Sequence, residues 1–117
     1  MLLFERLSAD YVYAKLSPED RKEKYSILFA FYENESINAV LTLKSAEENA
    51  IKYTFPCAVF KLIENTSLTA VGITAKVSSL LAKNQIPCNV VAALHHDYFL
   101  VPVQRADEVS RLLKQLG

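Results

Sequence analysis

Residues 56–63 read Pro56-Cys57-Ala58-Val59-Phe60-Lys61-Leu62-Ile63, and this run decides the fold. Apolar side chains fall on both parities. Successive strand residues point to opposite faces, so such a run needs cover on both and reads as a central strand. Asn65-Thr66-Ser67 is a polar turn, and from Thr69 the period changes. Ile73, Val77, Leu80 and Leu81 stand at i, i+4, i+7 and i+8, one stripe of a helix that ends near Asn84. Pro87 forbids further helix, because it lacks an N–H and clashes with the preceding turn. Residues 88–94 then read as a strand, His95-His96-Asp97 as a tight connection and 98–103 as the partner strand. Pro102 marks an edge or a strand terminus. Val109, Leu112, Leu113 and Leu116 lie at i, i+3, i+4 and i+7. They define a closing helix from about Arg105, with Asp107 and Glu108 in the first turn, where the helix dipole favours acids.

Upstream, Tyr11-Val12-Tyr13-Ala14-Lys15-Leu16 is aromatic and β-branched at its start and reads as a strand. Ser17-Pro18-Glu19-Asp20 has the signature of a helix start. The charged residues 21–24 allow at most one exposed helical turn. Residues 26–32 form an apolar run, Glu33-Asn34-Glu35-Ser36 a polar break, and 37–43 alternate with Ile37, Ala39, Leu41 and Leu43 on one parity. Together they predict a hairpin. Ser45 and Glu48 have capping-box spacing, which opens a short helix to about Tyr53. The order is β, β-hairpin, α, then βαββα. It predicts an α+β, ferredoxin-like two-layer sandwich, an antiparallel sheet with helices packed on one face. The second half lacks the final strand of a full βαββαβ unit. A strand from the first half is expected to fill that edge, since an open buried edge leaves backbone groups unpaired. The expected division is 1–53, a strand, hairpin and short helix, and 54–117, the βαββα domain.

Lys plus Arg equals Asp plus Glu, 13 of each. Nucleic-acid binding needs a basic surplus, so nucleic acid is not the expected partner. No apolar run approaches the roughly 20 residues of a membrane helix. Met1-Leu2-Leu3-Phe4-Glu5-Arg6 meets charge too early for a secretory signal. The expected compartment is the cytoplasm, and Cys57 and Cys88 are expected as reduced, buried small hydrophobes.

Residues 67–116 resemble the ACT family of predicted amino-acid-binding proteins. The resemblance is carried by Ser67-Leu68-Thr69-Ala70-Val71-Gly72-Ile73-Thr74-Ala75, by Ile86-Pro87-Cys88-Asn89-Val90-Val91-Ala92, by His96-Asp97-Tyr98-Phe99-Leu100-Val101-Pro102, and by Ala106. The N-terminal half fits through Tyr11-Val12-Tyr13 and the hairpin, as a partial unit of the same kind. The resemblance implies a regulatory module, not an enzyme. It would bind an amino acid or related small molecule at the loop between the first strand and first helix, near a glycine and often between two domains. That places the ligand-binding set at Thr66, Ser67, Leu68, Val71, Gly72, Ile73 and Thr74, with Asn89 reaching across from the next strand. A homodimer is expected, since two-layer units leave an open sheet face or edge. No cofactor, metal or membrane partner is implied. The family commonly carries a glycine and aromatics where this chain has Ala93-Leu94-His95. That departure supports a second reading, a structural or interaction protein that has kept the fold and lost the ligand.

Each candidate residue also has a plainer reading. Gly72 suits backbone approach to a ligand carboxylate at a helix N-terminus, or simply a special backbone angle. The hydroxyls of Thr66, Ser67, Thr69 and Thr74 suit a ligand or helix capping. Asn89 suits the ligand or a turn backbone. His95, His96 and Asp97 hold the atoms of a base or metal site, but consecutive residues on an extended chain face opposite ways. A structural turn is the stronger reading there.

Overall fold

The apolar run at 56–63 lies inside a longer strand, Tyr53–Asn65. The computed structural model describes residues 2–20, 22–65 and 72–116. In chain order its strands are β1 (Leu2–Arg6), β2 (Tyr11–Leu16), β3 (Ile27–Glu33), β4 (Ser36–Thr42), β5 (Tyr53–Asn65), β6 (Asn89–Ala92) and β7 (Asp97–Pro102). The helices are α1 (Leu43–Glu48), α2 (Ile73–Lys83) and α3 (Ala106–Leu113). The chain divides into two units, Met1–Ser8 with Cys57–Gly117, and Ala9–Pro56.

In the first unit the strands pair antiparallel in the order β1-β5-β7-β6. Register sets Phe60 opposite Phe99 and Ala58 opposite Val101. These residues and Leu62 share the face that receives Val77 and Leu81 from α2 and Val109 and Leu113 from α3, all buried. The opposite parity of β5, Cys57 and Val59, is buried as well. Both faces are covered, as the unbroken apolar run requires. Pro102 ends an interior strand, and β6 is the edge.

The missing last strand is β1. Leu2 pairs with Asn65, Glu5 with Lys61 and Arg6 with Phe60. Leu2 and Phe4 pack on the core, and the Phe4 ring meets Phe99 edge-on at 6.0 Å between centroids. On the other face Lys61 Nζ lies 3.3 Å from Glu5 Oε1. Residues 2–6 give no strand signal alone, because the run is short and ends in two charges. Only the long-range pairing makes them a strand.

Helix α2 is described from Ile73, and Thr69 lies outside the described residues. It ends at Lys83, where Asn84 Nδ2 donates to Leu80 O at 2.9 Å. Arg105 then donates to Asn84 O at 3.2 Å and Gln85 O at 3.4 Å, and its Nε to Glu108 Oε1 at 2.8 Å. A cation thus meets the carbonyls at the negative end of the α2 dipole and ties them to the start of α3. Strand β6 stops at Ala92, short of the expected Leu94, because Ala93 N–H donates to His96 O at 2.9 Å and closes the turn.

The second unit has the order β3-β4-β2, with Val12, Ala14, Leu16, Ala39, Leu41 and Ala46 forming its core. Its hairpin turns at Asn34, a residue type that tolerates the left-handed φ of 52° found there. Three local expectations change. The cap of α1 is Thr42, whose Oγ1 accepts from Ser45 N–H at 3.1 Å. Ser45 is instead buried inside the helix, where its Oγ accepts from Ser26 N–H at 2.9 Å. The helix stops at Glu48, and Tyr53 opens β5. That strand starts before Pro56 and continues through Phe55 despite its left-handed φ of 54°.

The third change is at Ser17-Pro18-Glu19-Asp20, where Asp20 is the acceptor. Ser17 N–H donates to its Oδ2 at 2.6 Å, Ser17 Oγ donates at 3.0 Å, and Tyr25 O–H donates to Oδ1 at 3.3 Å. The segment is a closed turn followed only by a 3-10 turn at Lys22–Lys24. Arg21 lies outside the described residues.

Two predictions follow from this packing. Phe99→Ala should lower unfolding stability by about 3–5 kcal/mol in urea, as for a fully buried aromatic; a loss below about 1 kcal/mol would contradict the described core. The Ser17 N–H, first of all, and its hydroxyl hold the Asp20 carboxyl below the usual carboxylate range. Its contribution to stability is therefore present above the unfolded-state pKa and lost as pH falls through the lower folded value. Asp20→Asn should remove that part of the acid limb, read by NMR titration and by unfolding at several pH values. An Asp20 that titrates at the unperturbed value would refute the turn.

Candidate functional site

The sequence directs attention to the start of α2. Gly72 is its N-cap residue, in the left-handed region at φ 78°, ψ 12°, and brings no side chain to cap the helix. The first intrahelical bond runs from Lys76 N–H to Gly72 O at 2.8 Å. The amides of Ile73, Thr74 and Ala75 precede it, and these are the donors a helix cannot satisfy by itself. Together with the positive dipole end they form a place where an anion is favoured. A Cβ built on Gly72 meets no described atom within 4 Å. The glycine is therefore required by backbone conformation and not by crowding.

The expected site residues are distributed as follows. Thr66, Ser67, Leu68 and Val71 lie outside the described residues. Ile73 turns inward and packs on the core beside Val77 and Leu81. Thr74 is exposed, and its carbonyl accepts from Ser78 Oγ at 2.7 Å. Asn89 is exposed on β6, opposite Leu100, which itself lies opposite Val59. That level is six residues before Asn65, roughly 20 Å at strand rise. Asn89 also follows the C-terminal end of α2, a helix about 16 Å long, whereas Gly72 opens it. The register therefore sets Asn89 apart from Gly72 within one copy.

What the register does bring to the C-terminal end of β5 is the turn between β6 and β7. His96 Nδ1 lies 3.2 Å from Leu62 O. A carbonyl only accepts, so Nδ1 is the donor of this bond. The His96 ring also meets Tyr98 edge-on at 6.4 Å. Leu62, Ile63, Leu94, His95 and Asp97 line an open cavity of about 370 Å³ there. Sequence reading assigned this segment to the turn and missed that it forms a concave wall. The signal was His96, whose partner carbonyl is 34 residues distant.

No group of three His, Cys, Asp or Glu among the described residues is placed to hold a metal ion. Both cysteines are free; Cys57 is buried, and partial burial pushes the Cys88 thiol up to about 11. Burial thus disfavours the thiolate, the nucleophilic form, at neutral pH. No described helix is long and apolar enough to cross a membrane.

The comparisons with known proteins agree with this fold. An ACT-domain model matches residues 54–115, and a second ACT-domain model matches residues 5–58. The first spans more than half of the chain, and the chain belongs to the ACT-domain family. ACT domains are generally regulatory ligand-binding modules. Among solved structures, a Vibrio cholerae protein of unknown function, described as a possible transport protein, superposes with a TM-score of 0.86 at 23% identity, covering 97% of this chain and 88% of that one. An Agrobacterium tumefaciens protein superposes at 0.81 with 20% identity, over 99% and 89%. The ligand-free regulatory subunit of aspartate kinase from Thermus thermophilus superposes at 0.59 with 9% identity, over 96% and 95%. At these identities the likeness is one of fold. No protein of curated function matches the chain.

Gly72→Ala should cost about 1–2 kcal/mol, the penalty of a left-handed backbone for an L-residue, measured by urea unfolding, and Gly72→Asn should recover much of it. Equal stability of all three would contradict the assigned conformation. Cys88 should react with a thiol reagent at pH 8 roughly a hundredfold more slowly than a free cysteine, in line with the thiolate fraction its raised pKa leaves. Reaction at the rate of a free thiol would refute its burial.

Proposed function

We propose that the protein is a non-catalytic regulatory module that binds an amino acid, or a closely related small molecule, at the loop of residues 66–74. The observation that carries this reading is Gly72. A left-handed cap without a side chain leaves the first amides of α2 to be met by something else, and a carboxylate meets them best. Membership of a family of regulatory ligand-binding modules supports it. Thr66, Ser67, Leu68, Val71, Ile73 and Thr74 complete the ligand-binding set in this proposal. Asn89 joins it from a second copy, since it lies on the exposed edge strand β6 beside Val90. The working form is then a cytoplasmic homodimer whose assembly the ligand biases. A ligand shifts that equilibrium only by its difference in affinity between the two states.

A second reading keeps the fold and drops the ligand. It is favoured by Ala93-Leu94-His95 and by Leu94, which is 91% exposed on the turn. The two readings part in a thermal-shift screen against the standard amino acids, with native mass measured alongside. The binding module gains about 2.7 kcal/mol at a hundredfold excess over the dissociation constant. Gly72→Asp, which sets a fixed carboxylate before the amides, should abolish the gain. A screen with no stabilising amino acid at millimolar concentration would refute the sensor reading.

A further inference from the structure

The sheet of the second unit has a face opposite its core. Val12, Ala14, Ala39 and Leu41 point to the core. The other parity points away from it, and register sets its order. Tyr13 and Phe29 flank Val40 on one level, and Lys15 and Phe31 flank Asn38 on the next. Glu33 follows Phe31 on the same face, and Asn38 Nδ2 donates to Glu33 Oε1. Tyr13, Lys15, Phe31, Glu33, Asn38 and Thr54 line an open cavity of about 290 Å³ there. Both aromatic walls are held by a second ring. Tyr13 meets Phe55 at 5.9 Å between centroids, and Phe31 meets Phe29 at 6.3 Å.

The polar part of the wall is mixed. Lys15 is exposed and forms no ion pair among the described residues. Glu33 Oε2 and Asn38 Oδ1 remain as acceptors beside the Asn38–Glu33 bond, and the Thr54 hydroxyl can donate or accept. One cation and one carboxylate line the cavity, so a neutral guest meets no net charge. Lys15 and Glu33 stand two strands and one two-residue step apart, roughly 12 Å between Cα atoms at ordinary sheet spacings. An α-amino acid carries both of its charges on one carbon, and that separation does not match it. The matching guest donates and accepts along its length and lays apolar surface on two rings. A hydroxyl is the group that both donates and accepts.

We propose that this face binds a single pyranose ring. Its C–H face lies on Phe31 and Tyr13, where the negative ring faces meet the positive C–H groups. Its hydroxyls accept from Lys15 Nζ and donate to Glu33 and Asn38. The volume is just under the roughly 300–1,000 Å³ of drug-sized sites and holds one ring, not a chain of them. The site uses no residue of the amino-acid loop, so either stands if the other falls.

The test is heteronuclear NMR of the whole chain titrated with D-glucose, D-galactose and D-mannose to about 50 mM, well above a millimolar dissociation constant. Glycerol and L-phenylalanine are the controls, the first with hydroxyls and no ring, the second with an aromatic ring and a zwitterion. Saturable shifts of the Lys15, Phe31 and Asn38 amides are expected with at least one sugar and with neither control. Lys15→Ala and Glu33→Ala, which trim exposed side chains, should each weaken binding roughly fivefold, as for one lost hydrogen bond. Phe31→Ala should abolish it, and Gly72→Asp should leave it unchanged. Absence of saturation with all three sugars, an equal response of these amides to L-phenylalanine, or undiminished binding by Lys15→Ala and Glu33→Ala would each overturn the proposal.

Discussion

Burial of the inward row of β5 holds the first unit in place. Ala58, Phe60 and Leu62 pack under α2 and α3, while the strand backbone pairs with β1 on one side and β7 on the other. Every other placement follows from it. The register with β7 sets Phe99 against Phe60, and Phe99 in turn receives Phe4 from β1. Helix α2 leaves the end of β5 and packs back through Val77 and Leu81. Its N-terminus therefore opens at the same end of the sheet as the turn that His96 fastens to Leu62. The candidate site lies where it does because β5 ends there.

The legible parts of the fold were those with strong local periodicity. The stripe Ile73, Val77, Leu80, Leu81 gives α2 and its end at Asn84, and Val109, Leu112, Leu113, Leu116 gives α3. The unbroken run on β5 announces cover on both faces. Signals made by distant partners were not legible. Leu2–Arg6 becomes a strand only by pairing with residues some sixty positions away. Ser45 has the spacing of a capping box, but its hydroxyl is taken by Ser26 and the cap falls to Thr42. Ser17 precedes a proline and two acids, yet Asp20 turns back to accept from it. Competing local hydrogen bonds decided both cases, and composition does not encode which competitor wins.

The site shows the same division. A lone internal glycine after a hydroxyl-rich loop signals a special backbone angle, and Gly72 has one. Asn89 fits the family pattern in sequence, but strand register carries it along the sheet away from that glycine. Strand β6 is entered past the far end of α2, a relation that sequence adjacency does not show. The concave wall at the turn between β6 and β7, by contrast, is built from residues that meet only in the folded chain.

The central claim is that the amides opening α2 receive a small anionic guest. Amide chemical shifts of Gly72, Ile73 and Thr74, followed by heteronuclear NMR while each standard amino acid is titrated, address it most directly. A saturable shift confined to these amides with one or a few ligands is the expected result. Amides that stay still, while every ligand-induced change falls elsewhere or none occurs, would contradict it.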